Sequence, residues 1–462
     1  MKKTILFIAA AFAVAQIASA QDAGKGGISA QMLKEIQSGY KGDASDRAIR
    51  NALNKAGIAT LAENADNAAM IDTHFSDRVK TKGITNQQSS GRCWLFTGLN
   101  VLRASMIDKY NLGSFTFSQS YVFFYDQLEK ANLFLQGVID TKDLPFNDRK
   151  VDWLFSNPLG DGGTFTGVAD LVSKYGLVPS SVMPESFSAN NTSAMSSNLK
   201  LKLREDGLRL REAGKKADLQ AMKVEMLKEV YHVLAICLGV PPTEFEWTMY
   251  NSKDEAVSTK TYTPMSFYKE FVEDDLCNDY IMIMNDPLRE YGKVYEIDYD
   301  RHVYDGHNWL YVNLPVDRIK EMAIASIRDN KAMYFSCDVK KFYDRKKGVL
   351  DLNNFDYSSL LGISFNMNKE ERVRTHASGS SHAMTLIAVD VKDGKPVKWM
   401  VENSWGADSG YKGNLIMTDQ WFDEYMFRLV VNKKYVPADV LEMMKQKPIC
   451  LPVWDPMFLP EE

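Results

Sequence analysis

Cysteine is scarce in this chain: Cys93, Cys237, Cys277, Cys337 and Cys450 are the only five among 462 residues. An odd, sparse set is no disulfide framework, and at least one thiol must stay unpaired within the chain. No CxxC pair, HExxH or closely spaced His/Cys cluster is present, so no metal and no cofactor is expected. Proline and glycine are modest, at 15 and 28, which excludes collagen-like and low-complexity chains. Basic residues are not in excess: 55 Lys and Arg face 60 Asp and Glu, a net charge of −5. Such a balance gives no pull toward nucleic acid or anionic lipid, and neither is an expected partner. Beyond the N-terminus no run of eighteen apolar residues occurs, so no membrane span is expected.

What is present suits a large globular protein. With 45% hydrophobic residues, the length allows about three domains or one fold with an elaborate insertion. The first twenty residues stand apart. Met1-Lys2-Lys3 is a basic opening, Thr4 to Ile17 is mostly apolar, and Ala18-Ser19-Ala20 fits a small-x-small cleavage pattern before Gln21. A signal peptide over 1–20 is expected, with a periplasmic or secreted mature chain.

Cys237 and Cys337 lie in apolar runs and read as small buried hydrophobes. Cys93 differs. It follows the polar, glycine-bearing stretch Thr85-Asn-Gln-Gln-Ser-Ser-Gly-Arg92 and opens a run with apolar residues at 94, 95, 99, 101 and 102. That pattern places Cys93 in the first turn of a buried helix, where unpaired N–H groups and the dipole favour a thiolate. A cysteine nucleophile needs a base, and the base an orienting group. Of the six histidines, His382 opens the strand-like run His382-Ala-Met-Thr-Leu-Ile-Ala-Val389. A second strand, Trp399-Met-Val-Glu402, ends at Asn403, which can hold the imidazole, with Trp405 as an indole shield. His74 and His232 read as structural, and His302, His307 and His376 lack such a partner in the sequence.

Gln87-x-x-x-Gly91-x-Cys93-Trp94, then His382-Ala, then Asn403-Ser-Trp-Gly406, resembles the residue set of papain-like cysteine peptidases. The fuller string Asn86-Gln-Gln-Ser-Ser-Gly-Arg-Cys-Trp94 is similar to the bleomycin hydrolase/aminopeptidase C branch, in which Arg precedes the nucleophile. Asp161-Gly-Gly163, Lys174-Tyr-Gly176, Pro184-Glu-Ser186, Asn285-Asp-Pro287, Cys337-Asp-Val339 and Trp454-Asp-Pro-Met457 agree with that branch, so the resemblance covers nearly the whole mature chain.

The resemblance implies an α+β papain-like core and a thiol aminopeptidase acting on peptides. In it Cys93 is the nucleophile, His382 the base, Asn403 the orienting group and Gln87 an oxyanion donor. It further implies a ring-shaped homohexamer and a C-terminal arm whose terminal carboxylate, here on Glu462, meets the substrate's ammonium group. The 289 residues from Cys93 to His382 exceed the about 130–150 of simple papain-type chains, so insertions are required. Residues 21–80 are expected as an N-terminal segment on the core, 81–180 as the helical half and 181–320 as helical and hook-like insertions. Residues 321–450 are then the β half, and 451–462 the arm. Ser118 to Asp140 and Asn198 to Gly239 read as helical. An endopeptidase, a hydrolase of an unusual amide, or a binding protein with an idle site are the alternatives.

Overall fold

The computed structural model describes residues 26–67 and 72–457. The expected signal peptide and Glu462 lie outside the described residues.

The chain divides into two compact units. The smaller holds the helices Ala30–Ser38, Ala44–Leu53 and Ile58–Ala62 together with the later helix Tyr357–Leu361. Ser29 and Asp43 start the first two helices by accepting backbone N–H groups with their side chains. The Asp356 N–H donates to the Ala62 carbonyl at 2.8 Å, joining the two stretches of this unit.

The larger unit carries helices α1 (Cys93–Tyr110), α2 (Gln119–Asp140), α3 (Phe165–Tyr175), α4 (Ser193–Glu212) and α5 (Leu219–Leu238). Helix α1 is buried on every side from Cys93 to Ala104. Its all-round burial explains why the sequence there shows no polar face. Gly98 sits where α1 meets α3: a Cβ there would stand 2.7 Å from a Val168 methyl, so only glycine permits this approach. Ser118 caps α2 through its hydroxyl, as the predicted start implied. The helix expected over 198–239 is two helices, because the chain breaks at 213–218 and restarts with Asp218 as a side-chain cap.

Among the described residues twelve strands form one sheet. At one margin lies β1 (Asp77–Arg78), and the central run contains β2 (Tyr280–Met284), β3 (Met333–Cys337), β4 (His382–Lys392), β5 (Lys395–Glu402), β6 (Asn414–Thr418) and β7 (Met426–Asn432). Their spatial order is β2-β7-β3-β4-β5-β6, antiparallel throughout, with β1 against the far end of β4. Strand β4 is buried without a break from His382 to Asp390, which is why its sequence is a continuous apolar run rather than an alternation. The sheet continues into Val294–Ile297 and Leu310–Asn313, so the 181–320 stretch contributes strands to it as well as helices and the separate hairpin Phe245–Tyr262. The architecture is α+β, the class expected from the sequence.

Candidate active site

Register sets the site. In β4, His382 pairs with Cys337 of β3 on one side, while Thr385 pairs with Glu402 of β5 on the other. The chain therefore leaves β5 at Asn403 alongside His382. The next residues meet the loop before α1: the Gln87 N–H donates to the Ser404 carbonyl at 2.8 Å, and the Gly406 N–H to the Thr85 carbonyl at 3.1 Å. This two-bond ladder joins segments more than three hundred residues apart. On the other flank, the Ala383 N–H lies 3.4 Å from Cys93 Sγ, tying the start of α1 to the mouth of β4.

The four predicted residues Gln87, Cys93, His382 and Asn403 thus come together, none more than 4% exposed. Asn403 Oδ1 lies 2.9 Å from His382 Nε2 and also accepts the Ser404 backbone N–H at 2.8 Å. Because that oxygen can only accept, Nε2 must carry the proton. The basic nitrogen of the neutral ring is then Nδ1. Trp405 stacks on His382 with ring centroids 4.6 Å apart, covering the His–Asn bond as the indole-shield reading requires.

Gln87 is held at both ends of its amide. Its Nε2 donates to the Ser90 carbonyl at 2.7 Å, and its Oε1 accepts the Ser404 hydroxyl at 2.6 Å. One N–H of the amide remains for another acceptor. Ser90 Oγ closes the turn by donating to the Gln87 carbonyl at 2.6 Å, and it accepts Arg92 Nε at 3.0 Å. Arg92 is fully buried, pairs with Glu185 at 2.7 Å and rests over the Phe96 and Phe123 rings. Ser404 and Ser90 were not singled out in the sequence. Ser404 lies inside the Asn403-Ser-Trp-Gly406 string, which is the signal the sequence offers for it.

Behind Trp94 lies a second polar cluster. His302 Nδ1 is 2.5 Å from Asp126 Oδ1, its ring meets Trp94 edge-on at 4.5 Å, and Lys130 reaches Asp126 at 2.9 Å. Burial, reinforced by the Lys130 charge, holds the His302 imidazole below its ordinary range. The Asp126 carboxyl is fully buried, yet Lys130 and His302 outweigh that burial and keep it below the usual carboxylate range. Lys130 also donates to the carbonyls of Gly160 and Gly162, and Trp94 Nε1 to that of Asp161, so the cluster clamps the Asp161–Gly163 loop. The expectation that His302 and His307 lack a partner is corrected here: Asp126 and Asp170 serve them from distant helices.

The described part of the C-terminal stretch is anchored. Arg428 donates to the Met457 carbonyl at 2.8 Å, and Arg289 pairs with Asp455. Val453 and Met457 are buried. All five cysteines are free thiols; Cys337 is buried as expected, whereas Cys237 is only half-buried. No described helix is long and apolar enough to cross a membrane.

The model of the Peptidase C1-like family matches residues 27–458. The chain is 44% identical to bleomycin hydrolase of Rattus norvegicus over 81% of its own length and 86% of the relative's. It is 39% identical to aminopeptidase G of Lactobacillus delbrueckii subsp. lactis, covering 92% of this chain and 98% of that one. The crystal structure of PepW from Lactobacillus rhamnosis HN001 superposes with a TM-score of 0.91 at 36% identity, over 94% of this chain and 99% of that one. A cysteine at a helix start, a histidine at a strand mouth and an asparagine one strand away, matched along nearly the full length, place this chain in the Peptidase C1-like family.

Proposed function

We propose that the protein is a thiol aminopeptidase that removes N-terminal residues from peptides, with Cys93 as nucleophile. The observation that carries it is the convergence of Cys93 and the Gln87 amide with the Nε2-protonated His382, from chain segments 289 and more residues apart. Relatives named aminopeptidase C, G and W support the substrate class.

The Cys93 thiolate, formed by proton transfer to His382 Nδ1, attacks the carbonyl carbon of the first peptide bond. The carbonyl electron pair moves onto oxygen, where the Cys93 backbone N–H and the uncommitted N–H of Gln87 Nε2 receive it. As the tetrahedral species collapses, the C–N bond breaks and the His382 imidazolium protonates the departing amine. A water then gives its proton to Nδ1 and its oxygen to the thioester carbonyl. The C–S bond breaks, releasing the amino acid and restoring the thiolate. Asn403 keeps the ring facing this path and stabilises the imidazolium.

Selectivity for a free amine is assigned to the chain end. Arg428, bound to the Met457 carbonyl, and the Arg289–Asp455 pair fix the turn segment leading to it, and the carboxylate of Glu462 is the anion that would meet the substrate ammonium. The expected mature chain begins at Gln21 after export, supported by the order of its leader regions, and a homohexamer is the assembly that the family resemblance supports. The test compares aminoacyl and N-blocked fluorogenic peptides on the full chain and on a chain lacking residues 458–462. The full chain should cleave only free amines, and the shortened chain should lose much of that activity while gaining on blocked peptides. Cys93→Ser should abolish both activities. An unchanged preference after truncation would remove Glu462 from the assignment, and hydrolysis surviving Cys93→Ser would remove the mechanism.

A further inference from the structure

Three metal-ligating side chains that the catalytic cycle does not use meet beside the middle of α3. Asp170 projects from that helix, Cys277 lies in the turn just before β2, and His307 lies in the loop just before strand Leu310–Asn313. One ligand atom from each falls within 4.8 Å of the other two. His307 Nδ1 is 2.7 Å from Asp170 Oδ1, and the His307 backbone N–H donates to Oδ2 at 2.7 Å. Cys277 Sγ is 3.7 Å from the same Oδ1. No pattern in the sequence announced this group, because its members are separated by 107 and 30 residues.

The surroundings are shaped around the carboxylate. Asp170 is buried, Cys277 half-buried and the His307 ring largely exposed, so the group is closed beneath and open above. A Cβ on Gly306 would stand 2.3 Å from Asp170 Oδ2, so glycine alone lets the loop backbone close to this distance. Asp275 accepts the backbone N–H groups of Cys277 and Asn278, each at 3.1 Å, which fixes the turn that presents the thiol. Ser173 Oγ stands 3.6 Å from Cys277 Sγ. A plain loop-capping role would account for Asp170 and the His307 backbone. It gives no reason for a thiol and an imidazole on the same oxygen.

One of the spacings already fits a tetrahedral ion, and a second comes within reach of it by a small movement. Zinc bonds of about 2.3 Å to sulfur and about 2.0–2.2 Å to nitrogen and oxygen require S···O of roughly 3.6 Å and N···O of roughly 3.4 Å. The first is already met at 3.7 Å. The second requires the exposed His307 ring to swing back from 2.7 Å by a fraction of an ångström, exchanging its hydrogen bond for coordination. Thiolate and imidazole together select zinc-like ions over magnesium or calcium. We propose that Asp170, Cys277 and His307 form a three-ligand zinc site whose fourth position is taken by water. An ion there would pin both loops to α3, the helix that lies against the nucleophile helix at Gly98.

The test uses the full mature chain carrying Cys93→Ala, since a catalytic thiol–imidazole pair is itself a zinc trap. Zinc is titrated in competition with a chromophoric chelator, and cobalt is used as a spectroscopic probe of thiolate coordination. The expected result is one zinc per chain, a rise in Tm on loading, and a thiolate-to-cobalt charge-transfer band. Cys277→Ser and His307→Ala should each weaken zinc by at least about tenfold, since even outer-shell partners are worth that much. Cys277→Ser should also erase the cobalt band. Apo-state circular dichroism and Tm show that both variants fold. Failure to bind a stoichiometric ion, or binding that survives either substitution within tenfold, overturns the site.

Discussion

Ser404→Ala tests the oxyanion assignment without touching any group that meets the substrate. Ser404 is buried, and its hydroxyl donates to Gln87 Oε1 at 2.6 Å. Removing it leaves that oxygen buried without its donor, a local cost of about 1–3 kcal/mol that the amide can relieve only by turning. Turning moves the Nε2 hydrogens off the oxyanion position. A lost oxyanion donor costs about 3 kcal/mol, or 10²–10³ in kcat, and Gln87→Ala should show roughly that loss. Ser404→Ala should cost less, because the Gln87 backbone and the Ser90 carbonyl still hold the residue at 2.8 and 2.7 Å. A loss of about tenfold in kcat, ~1.4 kcal/mol, with KM nearly constant is expected. The assay is steady-state hydrolysis of an aminoacyl fluorogenic substrate by wild type, both single variants and the double variant. If Ser404 acts through Gln87, the double variant is no slower than Gln87→Ala. Equal losses from Ser404→Ala in both backgrounds would refute the reasoning, as would an unchanged kcat in the single variant.

Two further outcomes follow from buried charge. Arg103 on α1 meets Glu402, the last residue of β5, at 2.6 Å with both side chains buried. Arg103→Met should cost about 3–5 kcal/mol in urea denaturation, and adding Glu402→Gln should recover much of it, because the penalty lies in the orphaned carboxylate. Full-size destabilisation in the double variant would contradict this. His302, held neutral below its ordinary range, binds fewer protons when folded than when unfolded. Its contribution is therefore complete above about pH 6.5 and is lost as pH falls through the lowered folded value, with a slope of at most ~1.4 kcal/mol per pH unit. The Asp126 carboxylate, also held low, acts only at more acid pH. Tm followed from pH 7 to 5 should fall more steeply for wild type than for His302→Gln, and parallel curves would dismiss the neutral-imidazole assignment.

The site was legible in sequence because its chemistry is written in short local strings. A glycine-bearing turn before Cys93, an apolar run after His382 and a strand ending at Asn403 each reflect backbone geometry that the structure shows in those places. Long-range partners leave no such trace. Asp126 and His302 are 176 residues apart, and Asp170 and His307 are 137 apart, on helices and loops whose own periodicity is that of ordinary core elements. The break at 213–218 was missed because Gly214 and Asp218 sit in a stretch whose charges continue the amphipathic pattern on both sides. The strands at Tyr280–Met284 and Leu310–Asn313 were hidden in an aromatic, proline-punctuated section, since four- and five-residue strands carry too little alternation to stand out.

The contact between Ala383 and Cys93 spans 290 residues, and this separation has a meaning in time. At about 5–20 residues per second, a ribosome that has just added Cys93 needs about 15–60 s to reach His382. Throughout that interval the thiol has neither its base nor the strand that holds it, and Asn403 and Ser404 come later still. Joining the ends of so long a loop also costs about 5 kcal/mol of chain entropy before the site exists. The four residues of the site are all present in the chain only once Asn403 has been added. A site assembled from segments this far apart in the sequence forms only late in synthesis.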